Sequence, residues 1–205
     1  MNTQLRIGHF SPDAPAVDIH VNGESLLEGV VFGTLGDYMD IDAGSYDVKI
    51  VPATGGDAVL SATLNLDSDT SYTVMAINAL EDIEALVLTD EQPAIDANDA
   101  RIRFVHTVPD APAVDIWAGD AALFENVAFG DSSSFATVDA DADAYDIDVR
   151  PAGTQDSVLS LSDISFDGAT SYTVFATGML DDDSLDAMLV ADYVTTDADD
   201  RTVAA

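Results

Sequence analysis

A motif that occurs twice constrains the fold of this chain more than any other feature. Residues 9–19 (HFSPDAPAVDI) return at residues 106–116 as HTVPDAPAVDI, and the part from the first proline to the end is identical in both copies. A proline-rich match of this length does not arise by chance, so the chain is a tandem duplication of a unit of about 100 residues, near the commonest domain size. We predict two domains, at residues 1–92 and 93–205, each able to bury its own core.

The hydrophobic pattern inside each repeat is that of short β-strands. Residues 16–21 (AVDIHV) alternate apolar and polar side chains with the period of a half-buried strand, and the Asn22-Gly23 pair that follows is typical of a hairpin turn. The prolines of the motif disfavour helix, and no segment shows a convincing amphipathic helical period. The first repeat has further predicted strands at residues 5–10, 30–32, 38–41, 46–51, 58–66, 71–77 and 83–88.

A tyrosine just inside a late strand of each repeat narrows the fold class. Tyr72 and Tyr172 each follow a polar corner and precede Thr-Val. This arrangement resembles the tyrosine corner of immunoglobulin-like sandwiches, where the ring packs in the core and the hydroxyl bonds to the backbone. With about seven or eight short strands per repeat, the chain is predicted to be all-β, with two tandem immunoglobulin-like β-sandwich domains.

The chain is extremely acidic, with 39 Asp and Glu residues against 6 Lys and Arg residues and a formal net charge of −33. Acidic segments that bind basic partners are usually contiguous, and calcium needs carboxylates that converge on one point, whereas these carboxylates are spread through both repeats. Adaptation to molar salt explains the spread best, because at about 1 M salt the Debye length falls to roughly 3 Å and repulsion between surface carboxylates is largely removed. Scarce Lys with abundant Asp and Ala resembles the proteins of extreme halophiles, typically archaea.

The composition also argues against several classes of protein. Nucleic-acid binding requires a basic patch, and this sequence has none. The absence of cysteine removes disulfides, thiolate metal sites and thiol nucleophiles. No apolar run approaches the roughly 18 residues of a membrane span. The first residues lack the basic and apolar regions of a signal peptide, so we expect either a cytoplasmic protein or one whose export signal has been removed.

The two copies of the motif, preceded by Arg6 and Arg103, look like the opening signature of domain-of-unknown-function family 4397. The Ser-Tyr-Thr-Val strands at residues 71–74 and 171–174 fit that family too, so the resemblance covers nearly the whole chain. The resemblance implies an extracytoplasmic, often tandem β-sandwich domain of bacterial and archaeal envelope proteins, and hence an extracellular or cell-surface location. It implies no catalytic residue, cofactor or ligand.

The motif supplies the best candidates for chemistry, because it places a histidine near two aspartates in each repeat. A histidine with two carboxylates suits a divalent metal or a weak acid–base unit. A structural role is the stronger interpretation, since both domains need the same turn: we expect Asp13 to accept backbone amides there and Asp18 to pair with Arg6. The two sets are His9, Asp13 and Asp18, and His106, Asp110 and Asp115.

An acidic turn in the second repeat is a further candidate for a metal. Asp139, Asp141 and Asp143 alternate as the first three ligands of a calcium loop do, but Ala144 stands where that loop needs Gly, and Arg150 where it needs Glu. The turn is therefore not an EF-hand. Weak binding of calcium, sodium or potassium is expected at such clusters in brine, and no other cofactor is predicted.

Signatures of catalysis are missing, and we predict that the chain is not an enzyme. The sequence has no Gly-x-Ser-x-Gly elbow and no Gly-rich phosphate loop, and nothing singles out a serine beside any of its three histidines. Trp117 stands where the first repeat has His20, in a strand position that faces outward. An exposed Trp suits stacking on a sugar or a partner protein, although well-packed surface is the simpler interpretation.

These patterns favour a non-catalytic structural or adhesion protein of the cell envelope in a high-salt environment. The expected partners are other envelope proteins or further copies of this chain. Head-to-tail assembly is one form of this hypothesis, because the C-terminal tail resembles the lead-in to the second repeat and suits addition to a sheet edge. The alternative is a calcium- or carbohydrate-binding extracellular module that uses the loops beside Asp13 and Asp110.

Overall fold

The computed structural model describes residues 2–140, 142, 144–196 and 200–202. The chain divides into two compact units, Met1–Glu91 and Gln92–Ala205. Each unit has two β-sheets that enclose a hydrophobic core, so the predicted fold class, an all-β chain of two tandem β-sandwich domains, is confirmed. Within the described ranges, no helix has the length and apolar character needed to cross a membrane.

The described residues of the first unit form nine strands in two sheets of order β4-β1-β8-β9 and β3-β2-β6-β7, with β5 also pairing with β1. Strands β1 and β8 run parallel, and the other pairs are antiparallel. A 3-10 turn (Leu80–Asp82) connects β8 to β9. The strands are β1 (Asn2–His9), β2 (Val17–Val21), β3 (Glu24–Val30), β4 (Thr34–Leu35), β5 (Met39–Asp42), β6 (Gly44–Pro52), β7 (Leu60–Leu66), β8 (Ser71–Ile77) and β9 (Glu84–Asp90).

The second unit repeats this topology in sheets of order β13-β10-β16-β17-β18 and β12-β11-β14-β15. Its first strand again lies parallel to the strand that carries the late tyrosine, since β10 pairs with β16 in parallel. The strands are β10 (Asp99–His106), β11 (Val114–Ala118), β12 (Ala121–Val127), β13 (Ala136–Asp139), β14 (Tyr145–Pro151), β15 (Leu159–Ile164), β16 (Thr170–Thr177), β17 (Asp186–Thr196) and β18 (Asp200–Thr202).

The alternation read from the motif strand correctly predicts which side chains enter the core. Val17 and Ile19 are buried in the core of the first unit, and Asp18 between them points to the outer face of its sheet. Strand β8 is buried along its whole length. It lies between β1 and β9 in its sheet and carries apolar side chains on both of its faces.

The predicted tyrosine corner is present in both units. The Tyr72 hydroxyl accepts a hydrogen bond from the Asp67 backbone N–H at 3.1 Å, and the Tyr172 hydroxyl accepts one from Asp167 N–H at 2.9 Å. Both rings are buried, so each tyrosine ties the corner before its strand to the core.

One predicted strand needs correction. The strand expected at residues 30–32 is wrong: the chain pairs over Glu24–Val30, and Val31 is 57% exposed. Edge strand β3 has a register shift and a left-handed Gly29 (φ 66°), so its side chains do not alternate and the sequence lacks the period of a strand there.

The described part of the C-terminal tail has an intramolecular partner, because Asp200–Thr202 pairs with β17 of its own unit.

Candidate functional site

The motif histidine ends the first strand of each unit and fastens the loop that follows. The His9 Nε2 atom lies 3.2 Å from the carbonyl oxygen of Pro15, and its Nδ1 lies 3.4 Å from the Ser11 backbone nitrogen. In the second unit the corresponding distances are 3.0 Å from His106 Nε2 to Pro112 O and 3.3 Å from Val108 N to His106 Nδ1. Each ring therefore donates through Nε2 to one end of its loop and accepts through Nδ1 at the other.

Burial keeps both motif histidines neutral. Desolvation lowers the pKa of His9, against the opposing hydrogen bond to Pro15. The pKa of His106 is also lowered by desolvation, which outweighs the hydrogen bond to Pro112 and the charge of Asp131. Because a protonated ring has no acceptor nitrogen, protonation would also break the Nδ1 hydrogen bond. The neutral Nε2–H tautomer is the form that this loop requires.

The first motif aspartate reaches across to a different loop. Asp13 Oδ1 accepts a hydrogen bond from Leu80 N–H at 2.7 Å, at the start of the turn between β8 and β9. Asp110 accepts two such bonds, from Leu180 N–H at 2.9 Å and Asp181 N–H at 2.8 Å. The prediction that these carboxylates accept backbone amides is correct, but the amides belong to the distant turn and not to the motif's own turn.

The second motif aspartate stabilises the edge strand of its own sheet. Asp18 Oδ1 accepts from Gly29 N–H at 2.8 Å, and Asp115 Oδ1 accepts from Asn126 N–H at 2.7 Å. Gly29 and Asn126 both have positive φ, at 66° and 55°, so each carboxylate holds a left-handed residue of the irregular edge strand. Asp115 also accepts from Gly153 N–H at 2.9 Å.

The expected pair between Asp18 and Arg6 does not form, because the two side chains leave the sandwich on opposite outer faces. Arg6 Nε instead donates to Thr73 Oγ1 at 2.7 Å, and that hydroxyl donates to Asp90 Oδ2 at 2.6 Å. The second unit repeats this chain of bonds. There Arg103 Nε lies 2.8 Å from Thr173 Oγ1, which lies 2.6 Å from Asp192 Oδ2. These threonines and aspartates were not predicted from the sequence; their matching positions in the two repeats were the available signal.

The motif histidine and its two aspartates are therefore not brought together as ligands. Each of the three side chains bonds to a different backbone segment, and both nitrogens of the ring are occupied. Among the residues that the structure describes, no group of three or more His, Cys, Asp or Glu side chains is placed to hold a metal ion. Asp139 ends β13, and its carbonyl accepts from the Tyr145 hydroxyl at 2.9 Å. Asp141 and Asp143, the other members of that candidate, lie outside the described residues.

Trp117 lies on the outer face of the sheet formed by β12, β11, β14 and β15. It pairs with Asp148 on the neighbouring strand, and Asp148 pairs with Ser160 on the next, so the three side chains form a row. The Arg150 guanidinium lies over the indole, with Cζ 5.0 Å from the ring centroid. The outward position expected for Trp117 is correct, and the indole is half-buried.

Asp148 is the polar centre of this row. Its Oδ2 accepts from Arg150 Nη2 at 2.9 Å, and its Oδ1 accepts from the Ser160 hydroxyl at 2.5 Å and lies 3.1 Å from Ser157 Oγ. The hydrogen bonds from Ser160 and then Arg150 lower the pKa of Asp148 below its ordinary value. Asp148 and its serines were not predicted from the sequence, because they come together only through strand pairing.

The equivalent row in the first unit has different chemistry. His20 pairs with Lys49, and Lys49 pairs with Ser61, so these residues occupy the places of Trp117, Asp148 and Ser160. The row around Trp117, defined by Trp117, Asp148, Arg150, Ser157 and Ser160, is called the tryptophan row below.

Fold and site together define a tandem β-sandwich protein whose motif residues fasten loops and strand edges. The family model for a domain of unknown function (DUF4397) matches residues 3–116 and 102–204, so the chain belongs to this family and carries two copies of the domain. A search of curated proteins found no match.

Two solved structures show weak similarity to the whole chain. One, of alpha-glucan binding by a streptococcal virulence factor, is 12% identical, with a TM-score of 0.29, covering 89% of this chain and 95% of that chain. The other is the family CBM26 module of Eubacterium rectale Amy13K in complex with maltoheptaose, 11% identical, with a TM-score of 0.28, covering 96% of this chain and 99% of that chain. At TM-scores of this size neither similarity indicates a shared ligand or site.

Proposed function

We propose that this chain is a non-catalytic surface protein of a cell that lives in high salt, with a structural or adhesive role. The observation that supports this proposal is the use of the motif's polar side chains. In both units the histidine and the two aspartates bond to backbone atoms of loops and strand edges. Side chains engaged in this way hold a scaffold together and are not available to a substrate.

The charge of the chain supports the high-salt part of the proposal. A net charge of −33 destabilises a compact state through self-repulsion in dilute buffer, and concentrated salt removes that penalty. At about 3 M KCl the Debye length falls below roughly 3 Å, shorter than the spacing of most surface charges. The protein should therefore be more stable in molar salt than in dilute buffer.

Localisation is tested on intact cells of the source organism. Cells are treated with an external protease at their growth salinity, and the protein is followed with an antibody beside a cytoplasmic marker. We expect the protein to be cleaved while the marker stays intact. Survival of both until the cells are lysed would contradict a surface location.

The scaffold part of the proposal has its own test, which separates it from the location. The double variant His9→Phe and His106→Phe is compared with His20→Phe, which changes the histidine of the outer face. We expect the double variant to lose stability and the control to keep it. Any hydrolytic turnover of the wild type that vanishes in the double variant while its fold is kept would argue for an enzyme.

A further inference from the structure

We propose that the tryptophan row in the second unit is a binding site for a neutral glycan. Three of its residues, Trp117, Asp148 and Ser160, lie on strands β11, β14 and β15 where these pair in regular register, which fixes their side chains relative to one another better than a loop would. The proposal builds on the surface role proposed above and gives that role a class of ligand. It also places the site on a sheet face and not on the loops beside Asp13 and Asp110.

The carboxylate of Asp148 has room to accept a hydrogen bond from a ligand. A carboxylate oxygen has two lone pairs; Oδ1 accepts from the Ser160 hydroxyl and has Ser157 Oγ 3.1 Å away. Oδ2 accepts from Arg150, which leaves one lone pair for a ligand hydroxyl. Hydrogen bonds from Ser160 and Arg150 keep the group ionised, so it acts only as an acceptor.

The indole, which has the Arg150 guanidinium over one face, supplies an aromatic ring and a donor beside that acceptor. Within the described part of the chain, Nε1 of Trp117 and Nε of Arg150 have no hydrogen-bond partner, and both are shielded from solvent. A shielded donor without a partner is unfavourable, so a small rotation of the indole that brings Nε1 to a ligand hydroxyl is favoured. An aromatic face next to a donor and an acceptor is complementary to a sugar ring, which has apolar C–H faces and a rim of hydroxyls.

Charge favours a neutral ligand. An anionic polymer would be repelled by the net charge of −33, and the one cation of the row, Arg150, already pairs with Asp148 at 2.9 Å. A cationic ligand would bind through charge, which molar salt screens. Stacking and neutral hydrogen bonds survive in concentrated salt, so a neutral glycan is the ligand that this row selects under the proposed conditions.

The equivalent row of the first unit serves as a control for this site. Its equivalent row presents His20, Lys49 and Ser61, and Val51 stands where the second unit has Arg150. This row therefore lacks the indole and the acceptor at the equivalent positions. We expect one glycan site per chain, in the second unit.

The experiment uses the full chain at about 3 M KCl, where surface charges are screened. Linear neutral oligosaccharides of α- and β-linked glucose, mannose and N-acetylglucosamine are titrated while the fluorescence of Trp117 is followed. Trp117 is the only tryptophan of the chain, so any change reports directly on the row. We expect at least one oligosaccharide to give a saturable change, with a stoichiometry of one by calorimetry, and sulfated oligosaccharides to give none.

Variants then assign the binding to the row, with calorimetry as the readout. Trp117→His, which installs the first unit's residue, should weaken binding at least about tenfold, and Asp148→Asn should weaken it as well. Trp117→Phe keeps an apolar ring without the N–H donor, and an intermediate affinity is expected. His20→Ala should bind like the wild type, and circular dichroism shows that each variant is folded.

Two results would overturn the proposal: no saturable response to any neutral oligosaccharide, or unchanged affinity in folded Trp117→His. A response only to sulfated oligosaccharides or to a protein would also overturn it. These results are independent of the protease experiment on intact cells. A protein that is exposed on cells but binds no glycan would keep the proposed function and lose this inference.

Discussion

The two units share their motif contacts but differ on the outer face of one sheet. In both, the motif histidine closes its loop, the first aspartate holds a distant turn and the second holds the neighbouring edge strand. On the outer face, His20 and Lys49 of the first unit are replaced by Trp117 and Asp148 of the second. Side chains kept in both repeats therefore serve the fold, and the outer face of this sheet is where the two units present different side chains.

Even the shared contacts differ in number. Asp115 accepts from two backbone amides where Asp18 accepts from one, and Asp110 accepts from two where Asp13 accepts from one. The motif aspartates of the second unit thus make more backbone hydrogen bonds than those of the first, and their contributions to stability can be compared by mutation.

The largest effect is expected from replacing a motif histidine. His106→Phe leaves Pro112 O and Val108 N–H without their ring partners, and each buried polar group without a partner costs about 1–3 kcal/mol. We expect the free energy of unfolding of the second unit to fall by about 2–4 kcal/mol, measured by denaturant titration with Trp117 fluorescence. His9→Phe should destabilise the first unit similarly by circular dichroism, and an unchanged midpoint in either would show that the rings do not hold the loops.

The next largest effect separates the two aspartates. Asp115→Ala removes two hydrogen bonds to the backbone and Asp18→Ala removes one, so we expect losses of about 1–3 and about 0.5–1.5 kcal/mol respectively. Denaturant titrations of the two variants give the comparison. Equal losses would mean that the second contact of Asp115 contributes nothing.

Acid should destabilise the protein through the motif histidines. Unfolded histidines protonate near their ordinary pKa of 6.5, whereas burial lowers the folded pKa of His9 and His106, so the unfolded state binds more protons below pH 6.5. Their contribution to stability is complete above pH 6.5 and declines as the pH falls from there towards the lowered folded values. The double variant His9→Phe and His106→Phe should show a flatter dependence of unfolding free energy on pH, in the same salt. Identical slopes for variant and wild type would contradict this.

The smallest effect concerns the left-handed residue of the edge strand. Gly29 and Asn126 occupy matching positions with positive φ, which glycine and asparagine both tolerate. Gly29→Asn should change the unfolding free energy by less than about 0.5 kcal/mol, whereas Gly29→Val, a β-branched residue at positive φ, should cost about 1–2 kcal/mol. Thermal unfolding of the two variants measures the difference. If Gly29→Val were as stable as the wild type, the edge strand would be able to relax around the valine.

The sequence predicted the sandwich class because the motif, the alternation of residues 16–21 and the two tyrosine corners are all local patterns. It did not predict the partners of Asp13 or Arg6, since these lie on segments far along the chain that only folding brings near. It flagged Trp117 from the difference between repeats but missed Asp148. That residue is one acidic side chain among many, and only strand register sets it beside the indole.

The central claim, that the repeated motif is scaffold, is tested most directly by nuclear magnetic resonance of the three histidine rings. Nitrogen-15 spectra at neutral pH and about 3 M KCl, where charges are screened, show the tautomer and protonation of each ring. For His9 and His106 we predict neutral Nε2–H rings whose signals do not move when calcium or zinc is added. Protonated rings at neutral pH, or ring nitrogens that shift on titration with metal, would contradict the claim and return the motif to the candidates for a binding site.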